Sequence, residues 1–211
     1  MTKIDLLSDP ICPWCLIGYK FLDHALKQRP QNDFIIEWHP FMLNPKMPPG
    51  GMERKKYLTL KFGSQKKAEV FYNEIENTAL INNIKVNFSK IKRTPNTLDA
   101  HRLIHWAGPK NQEKTVNLLF EEYFINGNDI SEKRILTKIA KKIDLNAEEF
   151  ALLLRSNKDK ENITQRIKNA GFKGIAGVPC FIVNNTYVLR GAQPTVLWLK
   201  VIDEVLEHKN Q

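Results

Sequence analysis

The sequence predicts an α/β fold interrupted by a large all-helical insertion. Residues 1–45 read as strand, helix, strand; the middle carries only helical spacing; the end returns to two short strands and a helix. The chain has 211 residues, 42% hydrophobic and 26% charged. That is an ordinary balance for a globular protein able to bury a sizeable core, with disorder expected only over the last few residues.

Ile4-Asp5-Leu6-Leu7 is the first strand. From Pro13 to about Lys27, apolar residues at Leu16, Ile17, Phe21, Leu22, Ala25 and Leu26 recur at helical spacing. Phe34-Ile35-Ile36-Glu37-Trp38 is rich in strand formers, and a strand–helix–strand unit of this length predicts a right-handed parallel crossover. Residues 64–84 place Ala68, Phe71, Ile75 and Ala79 on one stripe behind Ser64 as N-cap. A helix opens near Asn96-Thr97 after Pro95, and another carries Val116, Leu119, Phe120, Tyr123 and Phe124 up to Gly127. Ser131 is a cap for the next, Asn146 with Glu149 resembles a capping box, and a further helix runs from about Lys160 to a stop at Gly171. No strand pattern interrupts this block. Pro179 to Val183 and Thr186 to Leu189 flank Asn184-Asn185, which predicts a hairpin. Pro194 suits the first turn of a last helix bearing Leu197, Trp198, Val201, Ile202 and Val205.

The formal net charge of +9 does not point to nucleic acid, because the basic residues lie beside glutamates, as in Glu53-Arg54-Lys55-Lys56, on what reads as a solvated face. No stretch approaches the roughly 18 apolar residues of a membrane span, and none resembles a leader, so no membrane association is expected and a cytoplasmic location is. Three cysteines in a reducing compartment argue against a disulfide framework and for catalysis or metal.

Cys12-Pro13-Trp14-Cys15 falls where the first strand becomes the first helix. Cysteines three apart at a helix start share a face, close enough for a disulfide to form. Free N–H groups and the helix dipole favour a thiolate at the first, and a thiolate is the attacking species. Cys12 is therefore the expected nucleophile and Cys15, one turn deeper, the resolving thiol. A zinc site would need more ligands; a composite could be drawn from Cys12, Cys15, Cys180 and a histidine such as His39, but no metal is expected. Gly177-Val178-Pro179 is the second piece, since a cis peptide bond there would turn the Val178 backbone outward to pair with an extended peptide.

Together these pieces resemble the DsbA-like branch of the thioredoxin superfamily, and more closely its FrnE-like subfamily, related to 2-hydroxychromene-2-carboxylate isomerases. The resemblance rests on Ser8 to Cys15 with Gly18, on Trp38-His39-Pro40-Phe41 leading to Leu43-Asn44-Pro45, on Asn96 to Leu103, on Gly174 to Pro179, and on Gly191-Ala192-Gln193. It implies a thioredoxin-like domain from residues 1–48 and 172–211, with residues 49–171 as a helical insertion domain. It also implies a cis Val178–Pro179 bond and dithiol–disulfide exchange without a cofactor. The expected partners are disulfide-containing peptides or proteins, with glutathione among them. Catalysis is assigned to Cys12 and Cys15, and substrate binding to Pro13, Trp14, Val178, Pro179 and His101. The competing readings are a glutathione-dependent isomerase, whose relatives typically carry serine at the Cys12 position, and a peptide-binding module without chemistry.

Two departures stand out. His39 occupies a position where arginine is expected, and Cys180 follows the proline where a non-thiol residue is usual. Cys180 reads as a small buried strand residue, with a second disulfide near Cys12 as the alternative.

Overall fold

The computed structural model describes residues 1–172 and 174–209. Strand β1 (Thr2–Ser8) pairs in parallel with β2 (Phe34–Pro40), from Thr2 opposite Phe34 to Ser8 opposite Pro40, and α1 (Pro13–Lys27) makes the crossover. On its other side β1 pairs antiparallel with β5 (Cys180–Val183), which forms a hairpin with β6 (Tyr187–Arg190). The sheet order is β2-β1-β5-β6. Asn184 and Asn185 both take positive φ, 50° and 58°, and the Thr186 N–H closes on the Val183 carbonyl at 3.0 Å. That backbone matches strand twist, and asparagine tolerates it better than most residues.

Strand alternation gives the sheet two different faces. Ile4, Leu6, Trp38, Phe181 and Val183 are buried in the main core with Ile17, Leu22 and Ala25 of α1, and with Trp198 and Ile202 of α8 (Thr195–Lys209). The Phe181 and Trp198 rings meet edge-on at 4.9 Å, a geometry that adds about 0.5–1.5 kcal/mol to the area they bury. On the opposite face Leu7 and Cys180 form a smaller cluster with Ala170 and Ile175. Ala170 belongs to α7 (Lys160–Phe172).

Between the two halves of the sheet lie α2 (Arg54–Phe62), α3 (Gln65–Ile81), α4 (Leu98–Phe120), α5 (Lys133–Lys142), α6 (Ala147–Arg155) and α7. Several details differ from the sequence reading. Helix α2 carries no bounds in the sequence reading, where the run from Glu53 to Lys56 is only a helix-like, solvated segment. The block also holds a two-residue ladder, β3 (Met52–Glu53) with β4 (Arg93–Thr94), too short for any alternation to show. Gly51 precedes it at φ 67°, and a Cβ there would lie 2.7 Å from the Thr94 carbonyl oxygen. The helices read on either side of Gly108 are joined in α4 across a kink at that residue, with Pro109 beyond it. The chain then widens into a π turn over Glu121–Ile125 before Gly127.

Ser64 caps α3 through the Lys67 N–H, and Asn146 caps α6 through the N–H groups of Glu148 and Glu149. Ser131 does not cap α5: its hydroxyl donates to Asp129, and Glu132 stands at the N-cap. Pro194 lies one residue outside α8, its carbonyl accepting from Leu197 and Trp198. Helix α7 runs through Gly171, and the left-handed stop falls at Gly174, φ 73°. Of the segment 172–211, Lys173, Asn210 and Gln211 lie outside the described residues. Among the described residues no helix is long and apolar enough to cross a membrane.

Candidate active site

The turn from β1 into α1 is held by Asp9. Its carboxylate accepts the Ile11 N–H at 3.3 Å and the Leu43 N–H at 2.8 Å, and its backbone carbonyl accepts the Cys12 N–H at 2.9 Å. Asp9 is fully buried, and that burial pushes its carboxyl up to about 6 although two backbone N–H groups favour the anion. Cys12 is the N-cap of α1 and Pro13 occupies the first turn, where its missing N–H leaves nothing unsatisfied. The Cys12 carbonyl accepts from Cys15 at 3.0 Å and from Leu16 at 3.3 Å, which starts the helix and places the two cysteines one turn apart.

The loop before β5 forms the second wall. The Val178–Pro179 peptide bond is cis, and the Cys12 thiol donates to the Val178 carbonyl at 3.6 Å. Gly18 lets this loop approach: a Cβ on it would lie 3.0 Å from Pro179 Cγ and 3.1 Å from Ala192 Cα. The Gly191 N–H in turn donates to the Pro179 carbonyl at 2.9 Å. Cys15 lies beneath, with no exposed surface. Burial first, and the adjacent Cys12 sulfur second, push its thiol well above the ordinary range, while the Ser8 hydroxyl and the Asp9 N–H pull the other way. No disulfide joins the pair in this structure.

A cavity of about 130 Å³ opens above Cys12. Cys12, Pro13, Trp14 and Val178 line it from one side, and Arg54, Tyr57, Lys61 and Phe62 of α2 from the other. Phe71 and Tyr72 of α3 and Thr94 also line it, and among the described residues no aspartate or glutamate does. The Arg54 guanidinium is buried, stacked 4.7 Å from the Tyr72 ring, and donates to the hydroxyls of Tyr123 at 3.2 Å and Thr94 at 3.5 Å. Lys61 donates to the Tyr57 hydroxyl at 3.0 Å.

Four of the residues expected at the site therefore surround one space, with Cys15 beneath it and Pro179 packed on Gly18 behind it. His101 does not join them. Its ring is buried, bonds the Phe41 carbonyl at 2.9 Å, and borders a separate space of about 10 Å³ with Ser8, Trp38 and Gln112. Burial lowers it to about 4, so it is a neutral packing group. Arg102 beside it is also structural: it donates to Asp99 at 2.7 Å and to the carbonyls of Leu153 at 2.7 Å, Ser156 at 3.0 Å and Lys158 at 3.0 Å, closing the C-terminal end of α6.

Cys180 is buried in the smaller cluster, apart from the core cluster that holds Cys12 and Cys15. Burial raises its thiol. His39 turns to Asp5 at 2.6 Å, and Glu37 completes a group of potential metal ligands. The Lys3 ammonium already bridges Asp5 and Glu37 at 2.8 and 2.6 Å, so a cation there would meet a fixed positive charge.

Sequence reasoning missed Arg54, Tyr57 and Lys61. Their spacing was the available signal, since positions 54, 57 and 61 fall on one helical face.

Comparison with known proteins bears on the fold and the family. The chain is 26% identical to the protein YwbO of Bacillus subtilis over 209 residues, covering 96% of this chain and 97% of that one. Its fold is similar to that of the probable DsbA oxidoreductase SCO1869 from Streptomyces coelicolor, with a TM-score of 0.87, 22% identity, and coverage of 98% of this chain and 91% of that one. It is also similar to the cytosolic disulfide reductase DsbM from Pseudomonas aeruginosa, solved with GSH. There the TM-score is 0.68 at 15% identity, with coverage of 97% and 98%. The model of the DSBA-like thioredoxin domain matches residues 3–202, and the chain belongs to that family.

Proposed function

We propose that the protein exchanges disulfides through Cys12 and Cys15. The observation that carries this reading is a sulfur at the N-cap of α1 that faces both an open cavity and the Val178 carbonyl, with a second sulfur one turn below. The Cys12 thiolate attacks one sulfur of a substrate disulfide; that S–S bond breaks, a Cys12–substrate bond forms, and the other half leaves as a thiolate. Cys15 loses its proton and attacks Cys12 Sγ, which releases the second half and leaves a Cys12–Cys15 disulfide. Two electrons pass from enzyme to substrate, and the reverse sequence oxidises a dithiol. Pro13, Trp14, Val178 and Pro179 shape the surface on which the substrate lies. The chemistry uses no cofactor.

The substrates are disulfide-bearing peptides, proteins or small thiols. The DsbM structure with GSH supports including glutathione among them. A cytoplasmic setting suits an enzyme whose pair must be recharged by a thiol reductant. The test is single turnover of the pre-reduced protein with a disulfide-linked, self-quenched fluorescent peptide. Wild type should release the fluorophore faster than a free thiol does, and Cys12→Ser should give only the background rate. Equal release by both proteins contradicts the reading.

A further inference from the structure

The cavity above Cys12 has a feature that disulfide exchange alone does not require. Arg54 is more than nine-tenths buried, yet its guanidinium meets the hydroxyls of Thr94 and Tyr123 and the Tyr72 side chain, all uncharged groups. A buried cation normally meets a carboxylate or a set of carbonyls, because taking it out of water costs several kcal/mol. Arg102 follows that rule with Asp99 and its ring of carbonyl partners. Arg54 instead lines the cavity, with the Lys61 ammonium on the same wall and no aspartate or glutamate among the described residues that line it.

We propose that Arg54, assisted by Lys61, binds a carboxylate on the arm of the disulfide that enters this cavity, so that the protein selects carboxylate-bearing disulfides over neutral ones. The claim rests on Cys12 being the attacking sulfur. At about 130 Å³ the space is smaller than the ~300 Å³ at which pockets for whole drug-sized ligands begin, so it holds one arm rather than an entire substrate. Phe62, Phe71 and Trp14 cover the arm's apolar part while the planar guanidinium offers its remaining N–H donors to the carboxylate.

The experiment is stopped-flow single turnover of the pre-reduced protein with dithiobis(nitrobenzoate), which carries carboxylates, and with neutral dithiodipyridine, each rate normalised to a free thiol. Wild type should favour the anionic probe, and Arg54→Met should lower the anionic-to-neutral ratio about tenfold, the loss of one charge-assisted hydrogen bond. Should Arg54→Met fail to fold, Lys61→Gln, on an exposed residue, must lower the same ratio two- to fivefold. Lys133→Gln, which removes one charge on α5 that does not line the cavity, should leave the ratio unchanged. A pair of disulfide peptides with Glu or Gln beside the cysteine separates a peptide source of the carboxylate from a small-molecule one. An unchanged ratio in both variants, or an equal fall in Lys133→Gln, overturns the anion subsite. Reaction with neither probe above the free-thiol rate overturns the exchange reading itself.

Discussion

The segment from Ser8 to Cys15 separates two spaces of opposite character. On one side the His101 ring bonds the Phe41 carbonyl beside a space of about 10 Å³, and Arg102, next in the chain, is taken up by Asp99 and the carbonyls at the end of α6. On the other side Cys12, Arg54 and Lys61 face about 130 Å³. Both sides hold buried polar groups. What distinguishes them is how their cations are met: Arg102 is closed in by Asp99 and backbone carbonyls, whereas Arg54 meets hydroxyls and an aromatic ring and faces open space.

The comparison breaks most sharply at Arg102. Arg102→Met removes the donors that close the end of α6, and stability in urea should fall by about 3–5 kcal/mol, the cost of breaking a satisfied buried charge network. Disulfide exchange per folded molecule should not change. A loss of exchange in the folded variant would place Arg102 on the functional side.

Acid titration sharpens the closed side. Burial holds the Asp9 carboxyl at about 6 against an ordinary 3.8, so the folded state binds the extra proton; that contribution is full below pH 3.8 and is lost as pH rises through about 6. His101 runs the opposite way. Its folded value of about 4 lies below the ordinary 6.5, so its contribution is full above pH 6.5 and is lost as pH falls through about 4. The two slopes oppose each other between pH 4 and 6. Asp9→Asn should expose the His101 slope, with stability rising by about 3 kcal/mol from pH 4 to 6.5. A flat profile in that variant would show that the imidazole is not held neutral.

The smallest effect is expected at Cys180. Cys180→Ala should cost about 1 kcal/mol in its small cluster and leave exchange untouched. Altered exchange would mean that the third thiol communicates with the pair.

The parts of this picture that local chemistry dictates were legible in the sequence. Cys12, Pro13 and Cys15 announce a helix start by spacing alone, Asn184-Asn185 announces a turn, and the stripe from Ala68 to Ala79 announces a buried face. The rest depends on what folds over what. Arg54 sits in a charged run that looks like solvated surface until α3 and β4 close on it, and His101 looks like a groove-lining residue until the Phe41 carbonyl takes its ring nitrogen. The β3–β4 ladder, two residues on each side, is invisible to any periodicity.

The relay from Cys12 to Cys15 is most directly tested by trapping. The Cys15→Ser protein is mixed with a disulfide peptide, quenched with acid and mapped by mass spectrometry, beside wild type. A long-lived peptide adduct on Cys12 in the variant is expected, with wild type passing on to a Cys12–Cys15 disulfide and free peptide. An adduct on Cys180, or one equally persistent in wild type, would contradict a pair in which the upper sulfur attacks and the lower one resolves.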